Sequence, residues 1–411
     1  MASPAYVELL HRLLPARRFG VVLGLERVRG LLDRLGAPDR RLGTVIHVGG
    51  TNGKGSTVAM TGALLAQELR VATYTSPHLS CLRERITIAG ELIDEDTLVA
   101  AADRVRAAGG DELTFFEQLT AIAAVAIADA QVDATILEVG LGGRLDATNA
   151  IAADVAVVTG VALDHEAILG GTLDAIAREK AGIFKPGQRV VIGASGEPEA
   201  VPVLVEAARI AGHVTIVDDA AIARVPPVRL PGAHQRRNAA AALAAIDALE
   251  QLGVVAIDRA ARAHALATVV HPGRFERAGD VILDGAHNPA GARALAEVLR
   301  DTGERPVLVI AVSADKDVAA IASALAPVVC HVIATRYQQA RALAPDALAA
   351  AFAALGVSTE TADDLAAALA RARAIATPIL VAGSLFLVGE ARVLLLGAPA
   401  DPFVVTDPPA R

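Results

Sequence analysis

The chain has 411 residues, 53% hydrophobic and 20% charged, with a net charge of −8. That length exceeds one ordinary core, so two domains are expected, and the apolar content excludes a disordered chain. The acidic balance, 3% aromatic content and lack of tryptophan provide neither a basic field nor stacking platforms, so nucleic acid is not an expected partner.

The opening MASPAYVELLHRLL carries Glu8, His11 and Arg12 and has no continuous apolar core, so it does not read as a signal peptide. Cys81 and Cys330 lie far apart without metal-ligand spacing. That usage argues against disulfides or zinc and suits a reducing cytoplasm. The longest apolar stretch, 318–334, contains Pro327 and His331 and reads as a helix followed by a strand. It is too short and interrupted to span a membrane, and no membrane partner is expected.

In chain order, TVIHV (44–48) reads as a buried strand bounded by Gly43 and Gly49, and STVAMTGALLAQEL (56–69) as a helix. Between them HVGGTNGKGST (47–57) places four glycines around Lys54. In such a strand-to-helix turn, backbone N–H groups converge on an anion and the helix N-terminus adds unpaired donors. Lys54 would supply a point charge to phosphate oxygens, and Ser56 or Thr57 a hydroxyl to Mg²⁺. Gly55 between Lys54 and Ser56 departs from the usual GxxxxGK[ST] spacing. The plainer alternative is a glycine-rich turn with a solvated lysine.

Further strand-like runs at 71–75, 134–139, 155–161, 189–193 and 214–217 alternate with helical segments, which predicts a parallel α/β architecture. A second series follows PGRFE, with strands at 280–284, 306–312, 331–335 and 378–383, a helix near 290–300 and two helices before the last strand. The expected fold class is a P-loop mononucleotide-binding α/β domain with a mostly parallel sheet, plus a smaller Rossmann-like C-terminal domain. We expect the domains at 1–270 and 275–411, with a hinge at 271–274 on which they close. The tail from 397 to 411 reads as loosely ordered.

Four other stretches carry polar groups suited to chemistry. LEVGLGGRLDATN (137–149) puts Glu138 at a strand end, where α/β sheets gather ligands, facing a metal held at the P-loop. His165 in LDHE reads as a metal ligand or, taken alone, more readily as a structural histidine, because Mg²⁺ prefers oxygen. Lys180, shortly before Gly182, reads on its own as a charge complementing a helix C-terminus. Asn238 in HQRRNA, and Asp284, His287 and Asn288 in DGAHNP, suit ribose, phosphate or an amino acid, and equally caps and turns.

Taken in order, these stretches resemble a known family. VVLGLERVRGLLDRLG, HVGGTNGKGS, TSPHL, RERITIAG, EVGLGGRLDATN, LDHE, EKAGIFKPG, HQRRNA, PGRFE, DGAHNP and GSLFLVGEAR are similar to the folylpolyglutamate synthase/dihydrofolate synthase family of the Mur-ligase superfamily. The resemblance covers nearly the whole chain. Gly50 stands where alanine is commoner, a departure expected to leave function unaltered.

The resemblance implies an ATP-dependent acid–amino-acid ligase. It would phosphorylate the carboxylate of dihydropteroate or a reduced folate and join L-glutamate to the acyl phosphate. Gly50, Thr51, Asn52, Gly53, Lys54, Gly55, Ser56 and Thr57 would take the triphosphate, with Asn238 against adenine, Arg274 on phosphate and Asp284 near ribose or substrate. Ser56 and Glu138 would hold one Mg²⁺, and Glu138, His165 and a carbamylated Lys180 a second. Lys54, Glu138, His165 and Lys180 are thus the implied catalytic set. Ser76, Pro77 and His78 would border the pterin, and His287 and Ser384 would contact glutamate. A monomer is expected. Two alternatives are weighed. A ligase acting on a cell-wall nucleotide precursor usually needs an N-terminal domain for which there is little room before residue 49. A P-loop ATPase switch would leave LDHE, EKAGIFKPG and the second α/β domain without a use.

Overall fold

The computed structural model describes residues 2–19 and 24–406. Residues 21–23 of the VVLGLERVRGLLDRLG stretch and 407–411 of the tail lie outside the described residues. The chain divides into two compact units. One holds the residues up to Arg229, His234–Val269 and the residues from Asp401 onward; the other holds Leu230–Ala233 and Val270–Ala400.

The first unit is built on an eight-stranded sheet. Its strands are β1 (Thr44–Gly49), β2 (Val71–Tyr74), β3 (Ile86–Ile88), β4 (Glu91–Leu92), β5 (Ala134–Glu138), β6 (Val155–Val158), β7 (Arg189–Ile192) and β8 (His213–Ile216). They lie in the order β4-β3-β2-β5-β1-β6-β7-β8. The six from β2 to β8 in that order are parallel, and the pairings of β3 with β2 and with β4 are antiparallel. β1 and β5 are central and almost wholly buried, which explains why they read as continuous apolar runs rather than alternating ones.

One face of this sheet is covered by the helix Phe115–Ala130, which is buried on nearly every side. Alanines at 121, 123, 124, 126 and 128 let it pack closely. Thr114 and Glu117 form a reciprocal capping box at its start, with Glu117 Oε2 accepting from Thr114 N at 2.7 Å.

The second unit has six strands: β9 (Glu276–Ala278), β10 (Val281–Leu283), β11 (Val307–Ile310), β12 (His331–Ala334), β13 (Thr359–Thr361) and β14 (Ile379–Ala382). Their order is β13-β12-β11-β14-β10-β9, parallel except for β9. The stretch 318–334 folds as the helix Val318–Leu325 and then β12. Among the described residues, no helix is long and apolar enough to cross a membrane.

Four strands escaped the sequence reading. β3 and β4 are joined at Ala89 and Gly90, both with positive φ, and alanine there gives little turn signal. β9 and β13 are three-residue edge strands carrying Glu and Thr. The tail is a correction. It was expected to be loosely ordered and to belong to the second domain. Residues 401–406 instead group with the first unit, where Val405 is 1% exposed and Phe403 stacks on His11 at 4.4 Å. Apolar Phe403 and Val405 are the cause, since burying them offsets the entropy of fixing the tail.

Candidate active site

At the carboxyl end of β1 the chain turns through Gly50–Gly53 and enters the helix Lys54–Leu65. Gly53 sits at φ +84°, and its side-chain-free face lies against Asn238, with which any Cβ would collide. The helix has no side-chain cap and no acidic residue in its first turn. Its first backbone N–H groups therefore keep their donors for a ligand. Thr57 Oγ1 is buried with no hydrogen-bond partner among the described residues.

The turn is clamped to the residues after β6. Thr51 N donates to Gly160 O at 2.9 Å, Thr51 Oγ1 to Ala162 O at 3.1 Å, and Thr159 Oγ1 to Asn52 O at 2.7 Å. Gly50 is at φ +140°, and a Cβ there would drive into Thr159 Oγ1. Alanine at 50 would thus be strained in this chain. At Gly49 a Cβ would meet Ile183 Cδ1 at 3.2 Å, a tight but softer contact.

Two lysines converge on this turn. Lys54 Nζ donates to Gly50 O and Thr51 O, each at 3.2 Å, and Lys180 Nζ donates to the same Gly50 O at 3.0 Å. Lys180 comes from the helix Leu173–Ala181 and is 5% exposed. Burial, reinforced by the Lys54 charge, brings its amine down to about 7. A solvated charge at a helix end would keep its ordinary value, so that plainer reading fails for Lys180.

Glu138 ends β5 in register with Val48 of β1 and is 5% exposed. Its Oε2 accepts from Ser76 N at 3.2 Å, bringing the TSPHL segment to the same strand end. His78 is buried and accepts from Arg85 Nε at 2.9 Å. His165 stands at φ +52°, a left-handed conformation unusual for a non-glycine residue, with its side chain 38% exposed and 4.0 Å from Asp164 Oδ1. The described residues contain no group of three His, Cys, Asp or Glu arranged to hold a metal. Ser56, 2% exposed, and Glu138 are oxygen donors, a set that suits a hard cation completed by water and phosphate oxygens.

Asn238 is 2% exposed, accepts from Ser195 Oγ at 2.7 Å and donates to Gln235 Oε1 at 3.1 Å. The structure therefore brings Asn238 to the P-loop across Gly53.

In the second unit, Asp284 follows β10. Its carboxylate accepts from Phe275 N and Ala286 N, each at 2.9 Å. Burial raises the Asp284 carboxyl, with the nearby Arg274 charge opposing. A Cβ at Gly285 would collide with Arg274 Nη1, so the guanidinium lies over that turn. His287 Nδ1 is 2.8 Å from Gly285 O. Ser384 follows β14, the parallel neighbour of β10, and caps the helix Leu385–Leu396 by accepting from Phe386 N at 3.2 Å. Arg274, Asp284, His287 and Ser384 thus share one end of this sheet.

Sequence reasoning missed the residues that hold the loops. Asp146 is buried and accepts from Gly140 N at 3.1 Å, Leu141 N at 2.9 Å and Thr148 N at 3.0 Å, as well as from the Thr148 hydroxyl. With that hydroxyl donating to Asp146, His47 Nε2, 2.8 Å away, donates to it. Burial lowers His47 to about 3, so its ring is neutral near pH 7. An aspartate two residues before a threonine in LDATN was the available signal. Ser195 and Thr159 left none, because single hydroxyls in loops are common.

Residues 48–199 match the Mur ligase middle domain, and residues 273–385 match the Mur ligase glutamate ligase domain. A probable bifunctional folylpolyglutamate synthase/dihydropteroate synthase of Haloferax volcanii is 38% identical over 94% of this chain. The chain spans about half the length of that relative, 50%. A dihydrofolate synthase/folylpolyglutamate synthase of Mycobacterium tuberculosis is 37% identical, covering 90% of this chain and 89% of the relative. Among solved structures, E. coli FolC in complex with DHPP and ADP superposes with a TM-score of 0.85 at 32% identity, over 96% of this chain and 98% of FolC. The bifunctional enzyme from Yersinia pestis complexed with AMPPNP and Mn ion gives 0.82 at 30%, over 96% and 98%. A likeness of that extent at that identity, over both α/β units, joins the P-loop geometry to one family. The chain belongs to the dihydrofolate synthase/folylpolyglutamate synthase family of Mur ligases.

Proposed function

We propose that this chain is an ATP-dependent amide ligase that adds L-glutamate to dihydropteroate, to reduced folates, or to both. The observation that carries the reading is the pair Lys54 and Lys180 on one carbonyl, Gly50 O, at the mouth of an uncapped helix. Two cationic donors beside free N–H groups suit a triphosphate and little else of this size.

A carboxylate and an amine do not condense in water, so the acceptor carboxylate first takes the γ-phosphoryl group and ADP leaves. The glutamate amine then attacks the acyl carbon, phosphate departs, and the amine loses a proton. The chain's part is positioning and charge neutralisation. Backbone donors of Gly50–Thr57 hold the triphosphate, Lys54 follows the transferred phosphoryl group, and Asn238 meets adenine. Arg274 reaches phosphate, Asp284 serves ribose or substrate, and His287 and Ser384 take glutamate. Ser76, Pro77 and His78 border the pterin.

Mg²⁺, when bound by Ser56 and Glu138, supplies charge to offset what develops on the phosphoryl oxygens. A second Mg²⁺ would use Glu138, His165 and Lys180 as its carbamate. The neutral amine of Lys180 adds to CO₂, forming an N–C bond and releasing a proton, and so becomes an oxygen donor. Its burial beside Lys54 supports this, because a neutral amine is the reactive form. We further assign a monomer in the cytoplasm, in keeping with two free cysteines.

The test is a panel of acceptors with ATP, Mg²⁺ and labelled glutamate. Label should enter dihydropteroate or a reduced folate with one ADP formed per bond. Transfer of an amino acid to a nucleotide-sugar instead, or ATP hydrolysis without joining, would overturn the proposal.

A further inference from the structure

The segment 75–85 leaves β2 and returns to β3 as a closed loop. Thr75 N donates to Arg85 O at 2.8 Å. Inside it, Glu84 Oε2 accepts from Leu79 N at 2.7 Å, while Oε1 accepts from Ser80 Oγ at 2.9 Å and Cys81 N at 3.2 Å. One end of the loop reaches Glu138 through Ser76 N. The other end is held from outside by the tail.

Asp401 Oδ2 accepts from Leu82 N at 2.9 Å, and Asp401 N donates to Ser80 O at 3.0 Å. Its Oδ1 accepts from Tyr6 Oη at 2.7 Å, across 395 residues of sequence. Tyr6 Oη also lies 3.7 Å from Cys81 Sγ. Tyr6, Cys81 and Leu82 are each at most 2% exposed. Beyond Asp401, Phe403 against His11 and buried Val405 anchor the strap. A carboxylate whose two oxygens and backbone N–H each engage a different residue fixes the loop in place more firmly than apolar contact alone, because hydrogen bonds to a charged group are directional and stronger.

We propose that Asp401 is a positioning residue that locks the 76–85 loop, and through it Ser76, Pro77 and His78, in the form that receives the acceptor carboxylate's pterin end. This rests on assigning those three residues to the acceptor pocket. The strap holds residues 80–82, at the end of the loop away from Ser76 and Glu138, and the P-loop and its lysines have their own clamps at Thr51 and Thr159.

The test uses the full chain in a Cys330→Ser background, so that Cys81 is the sole thiol. Asp401→Ala and the milder Tyr6→Phe are compared with the parent. Expected for Asp401→Ala are at least tenfold faster amide exchange over 79–85, at least tenfold faster alkylation of Cys81, and a fivefold or larger rise in KM for dihydropteroate. The KM for ATP and kcat should stay within twofold, a split that general loosening of the unit would not give. Tyr6→Phe should move the same readouts less. Unchanged exchange and alkylation would overturn the strap. Faster exchange with an unmoved acceptor KM would overturn the positioning role. Should the parent join glutamate to no acceptor, the functional reading falls and exchange alone decides whether the strap locks the loop.

Discussion

Each unit starts a helix just past the carboxyl end of an interior strand, β1 in one and β10 in the other, and the two helices begin differently. After β10 the chain reaches Asn288, whose Oδ1 accepts from Gly291 N at 2.8 Å, and Pro289 occupies the first helical position. That N-terminus is satisfied by the protein itself. After β1 the chain reaches Gly53, which has no side chain to offer, and no acid follows in the first turn. With glycine there the first unit forgoes only a few tenths of a kcal/mol of capping and keeps donors open. The same strand–turn–helix frame is a structural joint in one unit and, in the function we propose, an anion site in the other, and the residue before the helix differs accordingly.

The largest effect expected from breaking this contrast is at Lys180. Lys180→Ala leaves Gly50 O bonded to Lys54 and removes a buried amine, so folding should survive. Removing one charge-stabilising group from a phosphoryl-transfer site costs on the order of 100-fold or more in kcat. We expect that loss in steady-state turnover at saturating ATP, Mg²⁺ and glutamate, with partial recovery on adding a small carboxylate. Near-parental turnover would return Lys180 to a structural role.

A histidine held neutral in each unit, His47 fully buried and His271 half-buried, gives the next effect. Burial holds His47 in the first unit at about 3, against 6.5 when unfolded, and His271 in the second at about 3. A depressed folded value means that the unfolded state binds the proton first as pH falls. Stability is therefore full above pH 6.5 and declines toward pH 3, by about 1.4 kcal/mol per pH unit for each histidine. His47→Asn should remove this for the first unit only. Between pH 7 and 5, urea unfolding of that unit should lose about 2 kcal/mol less in the variant than in the parent. Parallel pH profiles would mean that His47 is solvated in the fold.

The sequence made the parallel strands legible because they are short, β-branched and buried on both faces. It also made the P-loop legible, because glycines, a lysine and hydroxyls at one strand–helix junction have few other uses. What it hid depends on distant partners. Asp401 bonds Tyr6 across 395 positions, and nothing near Asp401 announces that contact. Lys180 looked like a helix-end charge because local spacing cannot report that Gly50 O and Lys54 wait beside it. Ala89 and Gly90 turn a hairpin whose flanks are too short to alternate.

Converting the open helix start into a closed one sharpens the comparison directly. Gly53→Asp puts a carboxylate where the triphosphate would sit and gives the first-turn N–H groups an internal acceptor. Its Cβ also presses on Asn238. We expect the KM for ATP to rise more than tenfold. Gly53→Asn, which caps equally well without charge, separates the causes: if it weakens ATP as much, crowding against Asn238 is responsible and the electrostatic part of the argument is lost.

The smallest effect is the reverse operation on the second unit. Asn288→Ala removes the acceptor for Gly291 N and leaves Pro289 in place. The loss should be about 1 kcal/mol, the ordinary worth of a cap, and Asn288→Gly should lose only a few tenths, because glycine lets water reach the freed N–H groups. Both values are read from the urea midpoint of the second unit's own transition at pH 7, where His271 is neutral and contributes equally to parent and variant. If the helix Pro289–Thr302 were instead a latent anion site like its counterpart, removing the cap would free donors that phosphate in the buffer could occupy. The alanine variant would then regain stability as phosphate is raised at constant ionic strength. We expect no such recovery, since Pro289 contributes no N–H to an anion at this helix start.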